Sequence, residues 1–148
     1  MEFDPRKNTS QETFMKAIEG VCLCGAIRYR AVGQPYGITH CHCQTCRRAR
    51  GAPFVTWAGV DTDKFTFING KPASYASSVK VTRTFCGKCG TALTYQRADV
   101  PDSIDVTLGS MDDPEVLRPE DHTWTESRLS WISLGDGLPA YPHERKVE

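Results

Sequence analysis

Seven cysteines fall into three groups along the chain: Cys22-x-Cys24, Cys41-x-Cys43-x-x-Cys46 and Cys86-x-x-Cys89. An odd number cannot pair entirely within one chain, and thiols clustered at such spacing hold metal more often than disulfides when no export signal precedes them. The first twenty residues carry charges throughout and no apolar run of signal length, so a reducing, cytoplasmic setting is expected. Buried free cysteines acting as small hydrophobes would instead be scattered among apolar neighbours.

In FCGKCGT, residues 85–91, a glycine follows each cysteine, as in a metal knuckle whose backbone amides must approach the thiolates. The flanks VTRTF and TALTY are strand-like, whereas a redox Cys-x-x-Cys usually opens a helix. Tetrahedral closure needs two more thiolates, and Cys22 with Cys24 can supply them. Residues two apart on an extended segment face one side, with Cα atoms about 6.8 Å apart. A four-cysteine site of that kind joins an early strand to a late one and serves the fold.

Cys41, Cys43 and Cys46 then remain, and three protein ligands with an open fourth position is the arrangement of a catalytic ion. Strand alternation turns His40 and His42 to the face opposite Cys41 and Cys43, unless a bulge intervenes. Spacing leaves two other allocations open. Cys22 and Cys24 can join the middle group, leaving Cys86 and Cys89 short, or His40 or His42 can close the second site to give two structural ions.

The elements that must position these groups are mostly strands. After Gly20 the apolar period is two, in Ile27/Tyr29, Phe65/Phe67, Val81/Arg83/Phe85 and Ile104/Val106/Leu108, with Asp105 and Thr107 between the last three. Turn residues gather in VGQPYG, INGKP, ADVPD and MDDPE. The 148 residues suit one domain, of antiparallel sheets with a thin core that metal cross-links supplement. Residues 1–19 read as an N-terminal extension before a domain over 20–143. In the extension, Thr9 and Glu12 have capping-box spacing, which predicts a short helix packing Phe14 and Ile18 on the body.

Eighteen basic residues balance eighteen acidic ones, and the longest basic run is RRAR at 47–50. That balance argues against a nucleic acid or an anionic membrane as main partner, and no stretch of about 18 apolar residues is present to span a bilayer. Arg47 and Arg48, with Arg50, are candidates to meet the carboxylates of a peptide-like thiol, against the plainer reading of a solvated basic turn. Phe54 and Trp57 read more readily as packing than as pocket walls. His122 and Trp124 are candidate lining groups without an assigned role, and Trp131 and Leu138 read as a C-terminal lid over the core.

The blocks GVCLCGAIRY, CHCQTCRRARGAPF, FCGKCGTALTY, IDVTLGSMDDP and SWISLGDGLPAYP resemble the glutathione-dependent formaldehyde-activating enzyme family, which includes centromere protein V. The resemblance runs from about Gly20 to Pro142. It implies a β-tent fold of mixed antiparallel sheets around two zinc ions. It also implies that Cys22, Cys24, Cys86 and Cys89 hold a structural zinc, while Cys41, Cys43 and Cys46 hold a labile, catalytic one. The expected activity is that of a carbon–sulfur lyase or synthase acting on a glutathione-type thiol–aldehyde adduct like S-hydroxymethylglutathione. The alternative is a non-catalytic zinc-stabilised β module that binds a protein partner, since one fold serves many functions.

Overall fold

Ten short strands of three to seven residues, most of them alternating in burial, make up the computed structural model, which describes residues 17–146. They are β1 (Ile18–Val21), β2 (Arg28–Ala31), β3 (Tyr36–Cys41), β4 (Val55–Asp61), β5 (Phe65–Asn69), β6 (Ala73–Ala76), β7 (Val81–Phe85), β8 (Ala92–Arg97), β9 (Ser103–Thr107) and β10 (Asp121–Thr123). Among the described residues a single α-helix, α1 (Gln44–Arg50), interrupts them. The chain is mainly β, as the period-two pattern predicts. No helix among the described residues is long and apolar enough to cross a membrane.

The strands form two sheets. A small one has the order β1-β2-β5, and a seven-stranded one has the order β10-β3-β4-β9-β8-β7-β6. Neighbours run antiparallel except β10, which lies parallel to β3. One core joins the small sheet, through Ile18, Tyr29 and Ala31, to one face of the large sheet, through Ile38, Ala58, Val60, Leu93, Ile104 and Val106. The Tyr29 ring is fully buried and lies against Gly20, where a Cβ would come within 2.2 Å of it, so β1 can pack here only with glycine.

The other face of the large sheet carries the chemistry, and two irregularities put it there. Between β7 and β8 the register passes from Phe85↔Ala92 to Thr84↔Thr94, which leaves Leu93 as the extra residue of a bulge. Leu93 thereby enters the core while Tyr95, opposite Arg83 and Asp105, faces the other way. Between β3 and β4 the register slips from Tyr36↔Gly59 to Thr39↔Trp57, after which Cys41 pairs with Val55. Cys41, Cys46, Val55 and Trp57 form a second apolar cluster, flanked by Tyr95 and Trp124.

The predicted N-terminal helix lies outside the described residues except at its end, where Ile18 opens a strand and is buried in the core. The reading of Trp131 as part of a lid is corrected: its side chain is 69% exposed, and Leu138 is only partly buried. The C-terminal segment is attached by its backbone instead, through His122 N→Pro139 O (2.9 Å) and Tyr141 N→His122 O (2.8 Å).

Candidate metal centres and active-site cleft

Two similar turns bring Cys22, Cys24, Cys86 and Cys89 together. After β1, Gly25 N donates to Cys22 O (3.0 Å) and Ile27 N donates to Cys22 Sγ (3.2 Å). Before β8, Gly90 N donates to Cys86 O (2.8 Å), and Lys88 N and Cys89 N both donate to Cys86 Sγ (3.4 Å). Gly90 has φ +81°, the left-handed conformation that only glycine adopts cheaply. Leu23 N also donates to Thr91 Oγ1 (3.0 Å), which ties the first turn to the second.

The four sulfurs suit one ion. Cys22 Sγ to Cys24 Sγ is 3.6 Å and Cys24 Sγ to Cys86 Sγ is 3.7 Å, while a tetrahedron with metal–sulfur bonds of about 2.3 Å has edges of about 3.8 Å. Amides aimed at sulfur favour the thiolate form. Burial opposes ionisation of Cys22, but the Ile27 amide and the neighbouring thiols outweigh it and hold Cys22 below the ordinary thiol range. The Thr91 hydroxyl and backbone bring Cys89 down to about 5. A cation is what lets four such groups ionise side by side.

The second group is built by the end of β3 and the start of α1. Cys41 closes the strand, Cys43 is the helix N-cap and accepts from Cys46 N (3.3 Å), and Cys46 lies in the first turn. Their sulfurs lie within 4.8 Å of one another, and no other cysteine, histidine or carboxylate of the described residues joins them. The Cys41 and Cys46 thiols push Cys43 far below the ordinary thiol range and, with Cys43 ionised, Cys41 is pushed far above it. This set of soft donors fits a thiophilic ion held by three ligands.

His40 and His42 take no part in it. On the opposite face of β3, His40 pairs with Thr56 (Nδ1 to Oγ1 2.8 Å) and lies beside His122 of β10. The Asp136 carboxylate accepts from His122 Nε2 (2.7 Å), and His122 Nδ1 lies 2.9 Å from His42 Nε2. With Nε2 of His122 donating, its Nδ1 accepts from His42. His42 is fully buried, and burial together with His122 and His40 lowers its pKa to about 4. This chain of side chains fastens the C-terminal segment behind the cysteine turn. Phe54 packs on both His40 and His42, with ring centroids 5.1 Å away.

The three-cysteine group opens onto a cleft of about 340 Å³, a volume that suits a small molecule. Trp57, Tyr95 and Trp124 give it apolar walls, and Arg83, Arg97, Arg145 and Asp105 give it charge. Trp57 thus belongs both to the packing and to the wall. Arg47 and Arg48 do not line this cleft: Arg47 Nη1 donates to Ser127 O (3.1 Å), and Arg48 faces a neighbouring cleft. Arg83 is the basic group beside the sulfurs, with Nη2 3.9 Å from Cys46 Sγ and its guanidinium 5.0 Å over the Tyr95 ring. Its signal in the sequence is a charge at an inward position of the Val81/Arg83/Phe85 alternation.

Asp105, between core residues Ile104 and Val106, faces the cleft, and burial pushes its carboxyl up to about 6. A folded-state value above the ordinary one means that the stability it contributes is full below about pH 4 and is lost as pH rises through about 6. A rise of that size corresponds to at most about 3 kcal/mol, and partial exposure reduces this to about 1–2 kcal/mol. Asp105→Asn should therefore be the more stable protein at pH 7.5 by about that amount and no more stable at pH 4, as read from urea melts. A pH-independent difference would mean that the carboxyl titrates in its usual range.

Fold and site together define a β domain built on two cysteine groups, one closed on itself and one open to a cleft. The chain belongs to the glutathione-dependent formaldehyde-activating enzyme family, whose model matches residues 17–127. It is 36% identical over 81 residues to an uncharacterised lyase of Schizosaccharomyces pombe, a match that spans 55% of this chain and 58% of that protein. It is also 28% identical over 127 residues to a Halomonas elongata protein described as a candidate glutathione-dependent formaldehyde-activating enzyme, covering 79% of this chain and 80% of the relative. A crystal structure of a Rhodobacter sphaeroides protein shares the fold, with a TM-score of 0.54, 20% identity, and coverage of 83% of this chain and 98% of that one.

Proposed function

We propose that the chain is a zinc-dependent carbon–sulfur lyase or synthase that forms or cleaves the adduct of a glutathione-type thiol with a small aldehyde such as formaldehyde. The observation that carries this reading is the set of three converging sulfurs, Cys41, Cys43 and Cys46, on the wall of an open cleft, with no fourth side-chain donor among the described residues. The family description and the naming of the yeast relative as a lyase support the reaction class. The closed group of Cys22, Cys24, Cys86 and Cys89 would hold a second, structural zinc.

Zinc bound at the open group supplies a soft position that takes a thiol and favours its thiolate. In the synthetic direction the thiol S–H bond breaks, the sulfur electron pair forms the S–C bond, and the carbonyl π pair moves onto oxygen, which takes a proton. Cleavage is the reverse. Asp105 is suited to hold that proton, since its carboxyl lies in the cleft with a pKa close to neutrality. Trp57 and Tyr95 exclude water from one side, and Arg83 offsets the negative charge of the sulfurs.

Glutathione and formaldehyde combine without help, so the test is a rate. Exchange between free glutathione and its formaldehyde adduct, followed by NMR magnetisation transfer, should be at least about tenfold faster with the zinc-loaded chain than with buffer, a barrier change of about 1.4 kcal/mol. An unchanged exchange rate at full zinc occupancy would end the proposal.

A further inference from the structure

A second cleft, of about 670 Å³, adjoins the first and shares Thr45, Ser77 and Arg83 with it. Arg48, Arg50 and Arg83 all line this second cleft, and none of its lining residues is acidic. Three guanidinium groups without a carboxylate are costly to hold together unless an anion completes them. The hydrogen bonding is incomplete in the same sense. Arg83 is only 4% exposed; its Nε donates to Ser77 Oγ (3.1 Å), its Nη2 faces Cys46 Sγ, and its Nη1 has no partner. Arg50 Nε and Nη2 are likewise buried without partners, its guanidinium resting 5.3 Å over the Trp57 ring.

The other arginines of the first cleft differ. Arg97 pairs with Asp99 and Glu144, and Arg145 pairs with Asp121 and Glu120. The unpaired positive charge is therefore concentrated on the side of Cys46 where the two clefts meet, and Arg83 forms the wall between them. One prong of its fork addresses the sulfur group and the other is left for a ligand. Stacking on Tyr95 holds the fork in place.

We infer that the cleft lined by Arg48, Arg50 and Arg83 is a carboxylate-binding subsite that receives the acidic end of the thiol whose sulfur enters the three-cysteine cleft. The inference rests on reading that first cleft as a thiol site, and it makes the protein selective for thiols that carry carboxylates a few bonds from sulfur. Guanidinium forks match carboxylates in shape as well as charge, so discrimination follows from both. Arg50 and Arg83 bind the anion where water is excluded, and Arg48, exposed at the rim, adds attraction at the entrance.

The test is calorimetric titration of the zinc-loaded full chain with glutathione, glutathione diethyl ester and 2-mercaptoethanol, none of which needs an aldehyde. Glutathione should bind at least about tenfold more tightly than its ester, the range of one charge-assisted hydrogen bond. Arg50→Gln should bring that ratio towards one while 2-mercaptoethanol binds as before, and Arg83→Gln should lower the ratio as well. Since Arg83 touches a cysteine sulfur, Arg48→Glu provides a variant at an exposed position that still lowers the ratio, by at least about threefold. Equal affinity for glutathione and ester in the wild type, or variants that weaken all three thiols alike, would overturn the inference. Inert exchange with preserved ester discrimination would remove the lyase reading alone, and accelerated exchange without discrimination would remove the subsite alone.

Discussion

Cys86→Ser should leave a chain at the edge of stability. Cys86 is 1% exposed, receives two backbone amides on its sulfur, and meets Cys24 across 62 residues of chain. The four-cysteine group closes that long loop, and a metal that binds only the folded state contributes its binding energy to folding. Serine keeps the shape but not the soft, ionised donor, so an ion held there would lose a quarter of its shell. The expected cost is on the order of 5 kcal/mol, comparable with the whole stability of a domain this size. The thermal midpoint should fall by about 10–20 °C if the variant can be purified. Stripping the wild type with a strong chelator should have the same effect, measured by circular dichroism against zinc content. A variant that lost the metal and kept its midpoint would show that sheet packing alone holds the two turns together.

Cys43→Ser should do the opposite, keeping the fold and losing the chemistry. Cys43 caps α1 by accepting from Cys46 N, and serine is among the best residues for that position. The cap therefore survives, and the midpoint should fall far less than in Cys86→Ser, by no more than the contribution of one weakly held ion. With two sulfurs instead of three, the open group should hold zinc weakly, and zinc content should fall from two ions per chain to one. Exchange of the formaldehyde adduct should drop at least about tenfold, to the level of buffer. Unchanged exchange with one zinc would assign the reaction to another part of the molecule. The two substitutions differ by one sulfur atom each, yet they separate the role of closing the fold from the role of taking a substrate.

The grouping of the cysteines is legible in the sequence because it depends on local spacing. The expectation that pairs two apart share a strand face groups the right residues on different geometry, since Cys22 and Cys24 lie in a turn after β1 and Cys43 caps α1. Cys86-x-x-Cys89 with Gly90 specifies a turn, and His40 falls on the side away from Cys41 because no bulge intervenes between them. The residues that complete the clefts are not legible in that way. Arg83 reaches the sulfurs because β7 lies three strands from β4 in the large sheet, an order that no local pattern specifies. Arg48 and Arg50 stand beside the cysteines in the sequence but face the neighbouring cleft, because α1 turns them away from the sulfur wall. Asp105 stands between apolar positions of an alternating strand, and becomes a cleft residue only because β9 lies between β4 and β8, which bring Trp57 and Tyr95 to the same cleft. The Asp136–His122–His42 chain depends on a parallel edge pairing across some eighty residues, beyond the reach of periodicity.

The bulge at Leu93 has a consequence for how this protein can change. A strand has a reading frame of two, and the extra residue shifts that frame by one between the cysteine turn at the start of β8 and the cleft wall at its end. Deleting Leu93 would remove the bulge alone: Ala92 and Thr94 would follow each other opposite Phe85 and Thr84, and Tyr95 would stay opposite Arg83 on the cleft side, with one buried core side chain lost. The two halves of the strand are thus written in different phases, and the pairing of Tyr95 with Arg83 and Asp105 keeps the cleft wall in place whatever the bulge holds. One extra residue thereby adds a large side chain to the core without moving the cysteine turn or the cleft wall, so core and cleft can vary independently along the same strand.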